Sequence, residues 1–357
     1  MEQFDLKTKI ITGQTEKILP TLGSRKMLMV ADPYFAQKAQ EYLRLSGAAE
    51  TMLFSQVQTD PSVELAAEGT AKVKAFAPDT IVALGGGSAM DCAKAMAYFY
   101  GQPVTVVAIP TTSGSGSEVT DFAVLTHGNT KYPLVDPKVR PDVAILDEGL
   151  LTELPKSLIA DSGFDVLAHA LEAYVAKDAG MITDALARDA FCVALAHLPA
   201  SYSGSKAVRG RIHQASCMAG MAFSQAGLGL CHAISHSLGG LFHVPHGRLN
   251  AILLPAVVGF NSAVAAPKYA KLARAAGISG AADAVAVRNL KNTLIRLRRE
   301  LGLPESLTQA GVPPRMLRGK VEEVVQATLR DPCCKTNPIS VEDFMVRAIL
   351  DEVAGHG

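Results

Sequence analysis

At 357 residues the chain exceeds one typical domain and is long enough to bury a sizeable core. Its 34 Lys and Arg balance 34 Asp and Glu, and charged residues are only 19% of the total, so no general field attracts nucleic acid or an anionic membrane. The 48% hydrophobic share supplies enough apolar area to offset chain entropy, which excludes a disordered chain.

The opening segment MEQFDLKTKIITG lacks the apolar core of a secretory signal. No uninterrupted apolar run approaches the ~20 residues of a membrane span. Six cysteines in a chain this long do not make a disulfide framework, so a reducing, cytoplasmic compartment is expected. MLMVAD (27–32), DTIVALGGG (79–87) and VTVVAIP (104–110) are continuous apolar runs that end in turn residues, the pattern of parallel strands buried on both faces. Between them, 33–47 and 61–77 have helix-like spacing and composition, giving βαβ units. Beyond Pro155 the Val/Ile-rich runs give way to Ala/Leu/Met segments at 157–177, 181–198 and 208–226, and the helical character continues to Val353. The expected architecture is an α/β domain with a Rossmann-like parallel sheet over 1–155, followed by an all-helical domain over 156–357.

Two loops fit phosphate binding. Gly85-Gly86-Gly87-Ser88 joins a buried strand to the helix AMDCAKAMAYF, where glycines let backbone N–H groups approach an anion and the helix dipole favours it. A glycine turn at this point is also a common tight turn. The second loop, 109–120, packs five hydroxyl side chains between Thr111 and Ser117 after the next strand. Donor-rich loops on neighbouring strand ends match the carboxyl-edge crevice of open α/β sheets. Asp32, ending the 27–32 run, fits acceptance of a ribose 2′-hydroxyl and repels a 2′-phosphate, favouring NAD over NADP. An ordinary N-cap before Pro33 explains the same residue.

Four of the nine histidines, His232, His236, His243 and His246, fall within fifteen residues. Upstream, Asp161, Asp165 and His169 are spaced i, i+4, i+8 on one face of a predicted helix. A carboxylate with imidazoles suits a borderline divalent ion such as Fe(II), Zn(II), Co(II) or Ni(II). Spacing does not choose between Asp161 and Asp165, nor between His232 and His236. His127, His197, His213 and His356 read as ordinary surface or packing residues.

With these motifs assembled, the chain resembles the iron-containing (group III) alcohol dehydrogenases from about residue 4 to 353. The resemblance is carried by ALGGGSAMDCAKA (83–95), IPTTSGSGSEVT (109–120), DSGFDVLAHALEAY (161–174), GLGLCHAISHSLGGLFHVPHGRLNAILLP (227–255) and KTNPISVEDF (335–344). It implies Asp165, His169, His232 and His246 as ligands of one divalent ion, iron or zinc. His236 is implied near the nicotinamide and substrate, as a proton relay that does not bind the metal. Gly86, Gly87, Ser88 and Asp91 would line the pyrophosphate, with Thr111, Thr112 and Ser115 on the phosphate and nicotinamide side and Lys131 at the ribose.

The chain departs from the family pattern at Ser237, Arg248 and Ile339, and none of these removes a ligand. The implied reaction is NAD(H)-linked interconversion of a short-chain primary alcohol and its aldehyde, in an apolar cleft between the domains. The C-terminal motifs look most like those of the 1-propanol and ethanol dehydrogenases of bacterial microcompartments. A homodimer or larger homo-oligomer is implied, with shell or cargo proteins as partners if the enzyme is encapsulated, although no separate targeting peptide is evident. The alternatives are a polyol or lactaldehyde (1,2-propanediol) oxidoreductase and a dehydroquinate-synthase-like lyase. The lyase is disfavoured because a phosphorylated acid calls for clustered bases, and 227–255 offers only Arg248.

Overall fold

The computed structural model describes residues 4–128 and 130–355, so His356 lies outside the described residues. The chain divides into two compact units, one formed by Asp5–Leu154 and the other running onward from Pro155.

The first unit is built on strands β1 (Lys9–Thr12), β2 (Lys26–Ala31), β3 (Glu50–Phe54), β4 (Thr80–Gly85) and β5 (Thr105–Pro110), with helices α1 (Thr15–Ile18), α2 (Ala36–Leu45), α3 (Val63–Phe76) and α4 (Gly87–Tyr100) between them. Strands β6 (Phe122–His127) and β7 (Thr130–Val135) form an antiparallel hairpin, and β8 (Val143–Leu146) completes a six-stranded sheet. That sheet is all parallel in the order β1-β8-β5-β4-β2-β3. Every residue of β4 and β8 is buried, as continuous apolar runs between two helical layers require. Strand order reverses between β2 and β4, the switch point at which open α/β sheets bind nucleotides. The register pairs Ala31 with Leu84 and Gly85 with Pro110. Asp32, the triple glycine and the hydroxyl-rich loop therefore leave three adjacent strands at one level.

The second unit is helical: α5 (Lys156–Val175), α6 (Met181–Tyr202), α7 (Arg209–Ala226), α8 (Leu230–Phe242), α9 (His246–Ala275), α10 (Asp283–Glu300), α11 (Pro314–Arg330), α12 (Cys333–Thr336) and α13 (Asp343–Ala354). Helix α5 is buried along nearly its whole length, which explains its lack of a charged stripe. Helix α9 is 30 residues and apolar enough to span a bilayer by length and composition, although polar residues such as Arg248, Asn250 and Asn261 interrupt its apolar run. It is a core helix, with 67% of its most apolar window buried within the protein. The chain bends by 103° on passing from α7 into α8. Gly227 permits this bend with φ +79°, at a point where a Cβ would lie 2.4 Å from Thr336.

Candidate metal centre and dinucleotide loops

Three helices of the second unit bring four residues to one point. Asp165 and His169 project from successive turns of α5, His232 from the first turn of α8, and His246 opens α9. Their ligand atoms all lie within 4.8 Å of one another. Asp165 Oδ1 is 3.8 Å from His169 Nδ1, 3.7 Å from His232 Nε2 and 3.6 Å from His246 Nε2.

The alternatives left open by spacing are resolved by partners from elsewhere. Asp161 is held by Arg248, whose Nε and Nη2 donate to its two oxygens at 3.2 and 3.0 Å. His236 Nδ1 is 2.9 Å from Asp331 Oδ2. His243 is the left-handed C-cap of α8, with φ +55°, so it turns the chain toward α9.

The donor set fits a divalent cation. Asn250, fully buried on α9, directs its amide at Asp165 Oδ1 (2.7 Å), His232 Nε2 (3.2 Å) and His246 Nε2 (3.2 Å). The three atoms lie around one amide nitrogen, so their positions converge as a common cation requires. Glu172 fixes the tautomer that makes this possible. Its Oε2 lies 2.7 Å from His232 Nδ1, so the proton that a neutral imidazole retains sits on Nδ1, and Nε2 is the nitrogen that gives up its proton to an ion.

The same carboxylate accepts from the backbone N–H groups of Gly229 (3.0 Å), Cys231 (2.7 Å) and His232 (3.3 Å). Asn337 Oδ1 accepts from Leu230 N at 3.1 Å. The orphan donors at the start of α8 are thereby satisfied. Gly229 is required here, since a Cβ would sit 2.8 Å from both Glu172 and Asn337.

Sequence reasoning missed Glu172, Asn250 and Asp331. For Glu172 a signal exists, because Asp165, His169 and Glu172 continue one helical face at i, i+4, i+7.

Electrostatics favour a cation as well. Burial opposes ionisation of Asp165, yet His169, His246 and His232 together hold its carboxyl far below the usual range. Burial also opposes protonation of His232, but Asp165 and Glu172 raise it to about 9. His246 is held well below its ordinary value by burial and by the neighbouring imidazoles, against the pull of Asp165. His169 is sandwiched between Phe223 and His232, with ring centroids 4.4 Å away on each side. The remaining histidines are apart from this cluster: His127 pairs with Glu64 on the surface and His213 packs inside α7.

In the first unit Gly86 is the N-cap of α4. A Cβ on Gly86 would only touch Thr112 at 3.4 Å, and one on Gly87 would touch Ser115 at 3.5 Å, so the two loops lie side by side. Thr111 N donates to Gly85 O at 2.9 Å and binds the loops together. Ser88 Oγ accepts from Asp60 N at 3.3 Å, and Lys131 Nζ donates to Asp60 Oδ1 at 2.7 Å, which brings the hairpin's lysine to the glycine loop. Asp32 takes its capping alternative: Oδ1 accepts from Phe35 N at 3.2 Å. Its Oδ2 lies 3.2 Å from where a Gly85 Cβ would be, so one oxygen faces the glycine loop.

Asp91 accepts from Ser117 Oγ at 3.1 Å and belongs to a buried network. Lys94 Nζ donates to Ser117, Thr120 and the Phe122 carbonyl at 2.9, 3.2 and 2.7 Å. Burial raises Asp91 to about 6 against the pull of Lys94, and lowers Lys94 to about 8 against the pull of Asp91.

Comparison with known proteins covers nearly the whole chain. Residues 8–148 match the family described as "Iron-containing alcohol dehydrogenase", and residues 159–354 match "Fe-containing alcohol dehydrogenase family, C-terminal". The chain is 39% identical to the 1-propanol dehydrogenase PduQ of Salmonella typhimurium, covering 99% of this chain and 100% of that protein. It is 38% identical to an NADPH-dependent butanol dehydrogenase of Clostridium saccharobutylicum, covering 98% and 97%. The solved iron-containing alcohol dehydrogenase of Thermococcus thioreducens superposes with a TM-score of 0.90 at 34% identity, covering 98% of this chain and 99% of that one.

Proposed function

Because the chain belongs to the iron-containing alcohol dehydrogenase family, whose members interconvert alcohols and aldehydes with a metal and a nicotinamide cofactor, we propose that it is an NAD(H)-linked dehydrogenase of short-chain primary alcohols such as 1-propanol and ethanol. The observation that carries this reading is the convergence of Asp165, His169, His232 and His246 within 4.8 Å. These four would hold one divalent ion, Fe(II) in the cell. Zn(II) should bind the same set more tightly, so iron occupancy would follow supply.

When bound, the ion supplies Lewis acidity at the substrate oxygen and the nicotinamide gives or takes the hydride. The chain's own residues set up that exchange. Glu172 keeps His232 Nε2 free to ligate, and Asn250 holds Asp165 Oδ1 in place. His236, with Nδ1–H directed at Asp331, keeps Nε2 as the acceptor that passes the alcohol proton toward solvent. Gly86, Gly87, Ser88, Thr111, Thr112 and Ser115 would receive the phosphates. Lys131 and the free face of Asp32 would receive the ribose, and Asp91 supports the loop through Ser117.

Likeness to the 1-propanol dehydrogenase PduQ supports a short-chain substrate; assembly as a homodimer or larger homo-oligomer, inside a microcompartment, belongs to the same reading. A diol or lactaldehyde substrate is the second reading, favoured by superposition on a 1,3-propanediol oxidoreductase with a TM-score of 0.92 at 31% identity. The lyase alternative loses its base, because Arg248 is engaged by Asp161.

The test is NADH oxidation with propanal by protein purified without oxygen, before and after chelation, with Fe(II) and Zn(II) restored separately. Turnover removed by chelation and restored by metal is expected. His232→Ala should lose the metal and roughly three decades of rate. His236→Ala should keep the metal and lose about 10²–10⁴-fold. Failure to reduce any short aldehyde, with metal and NADH both bound, would overturn the substrate reading.

A further inference from the structure

We propose that His236, Asp331 and Cys333 form a second cation site for a thiophilic borderline ion such as Zn(II), and that filling it inhibits the enzyme. Each residue presents one ligand atom, all within 4.8 Å of one another. Two ligands ~2.1 Å from a common tetrahedral ion are about 3.4 Å apart. His236 Nδ1 and Asp331 Oδ2, now hydrogen-bonded at 2.9 Å, reach that spacing by parting about 0.5 Å as the ion replaces the proton between them. Cys333 closes the third side by a side-chain rotation on the four-residue helix α12. Asp331 is held ready for it, since its Oδ1 accepts from Cys333 N at 2.8 Å. The neighbouring thiol takes no part, because Cys334 Sγ donates to the Thr328 carbonyl at 3.0 Å.

Imidazole, carboxylate and thiolate together select zinc-like ions over magnesium or calcium. The cluster of Asp165, His169, His232 and His246 contains no sulfur, so the two sites differ in chemistry. All three residues of the second site are partly exposed, and since burial holds the Cys333 thiol well above its ordinary value, an ion must displace a proton the thiol retains.

Binding forms bonds to Sγ, Oδ2 and Nδ1, and no electron is transferred. The thiol proton leaves to water and the imidazole proton moves from Nδ1 to Nε2. Nε2 then donates and no longer accepts. The loss of activity rests on the relay role given to His236 above, whereas binding itself does not.

The experiment titrates anaerobic protein with Co(II). The first equivalent fills the nitrogen and oxygen site and gives no sulfur-to-cobalt charge-transfer band. The second is expected to produce that band. Cys333→Ser should abolish the band and the second equivalent while retaining the first, and Cys334→Ser should leave both. Zn(II) added to the working holoenzyme should inhibit it, with the half-inhibiting concentration rising at least about tenfold in Cys333→Ser.

A missing band, or one that survives Cys333→Ser, overturns the site. Inhibition that is equal in wild type and Cys333→Ser means displacement at the first site and overturns the inhibitory claim. If no aldehyde is reduced at all, the cobalt spectrum still decides the site independently of the functional reading.

Discussion

Replacing Glu172 by glutamine isolates how a buried carboxylate prepares His232 for an ion that the carboxylate itself would not touch. Glu172 receives four N–H donors at 2.7 to 3.3 Å, three from the backbone of α8 and one from His232 Nδ1. Glutamine keeps the shape but exchanges one acceptor oxygen for an NH2 group. If the amide points at Gly229 and His232, it opposes three donors, and the easiest relief is for His232 to move its proton to Nε2. That removes the Nε2 lone pair that an ion shared with Asp165 would need. Loss of such an outer partner typically weakens metal binding 10–100-fold, or about 1.4 to 2.8 kcal/mol. If the amide points instead at Cys231, one buried donor is stranded, costing about 1 to 3 kcal/mol of stability. Chelator competition for Zn(II) and Fe(II) measures the first effect, and the melting of metal-free protein measures the second. Glu172→Gln is expected to weaken the metal at least tenfold and lower the apo melting temperature by a few degrees. Lower stability with metal affinity unchanged within twofold would refute the tautomer reasoning.

Gly247→Ala should be among the most damaging small substitutions, since its Cβ would lie 1.9 Å from the Asp161 carbonyl oxygen. Forcing α9 from α5 should cost about 3 kcal/mol and misplace His246, seen as a lower melting temperature together with weaker metal retention. Lys94 is lowered to about 8 by burial, against Asp91. The native protein therefore gives up that proton near pH 8 while the unfolded chain keeps it until about 10.4. The unfolded state binds more protons in this window, so wild-type stability should rise with pH relative to Lys94→Met, by on the order of 2 kcal/mol; denaturant titrations at pH 7.5 and 10 giving the same difference would contradict this. Asp32→Ser preserves an N-cap hydroxyl while removing the carboxylate. It should improve use of NADPH relative to NADH by at least about tenfold if the carboxylate repels a 2′-phosphate, read as the ratio of kcat/KM for the two cofactors.

The amino-acid sequence by itself determined the layered sheet and the chemistry available to it. Continuous apolar runs ending in glycine and hydroxyl loops are consistent with little else than parallel strands buried on both faces, and β2, β4 and β5 lie in those runs. Histidines and aspartates at helical spacing pointed to a cation, because spacing along a helix fixes a face. The β6–β7 hairpin was not legible, since Pro133 and the polar residues of 126–131 interrupt any strand pattern.

Which members of each pair converge was decided only in three dimensions. Asp161 and Asp165 share a helix face, but Arg248, 87 positions away, claims the first and leaves the second to three imidazoles. His232 and His236 share α8, but Glu172 orients the one toward Asp165 and Asp331 draws off the other. A face is a local property of the chain. A partner arrives from another element, and only the packing of α5, α8, α9 and the segment after α11 says which side chain meets it.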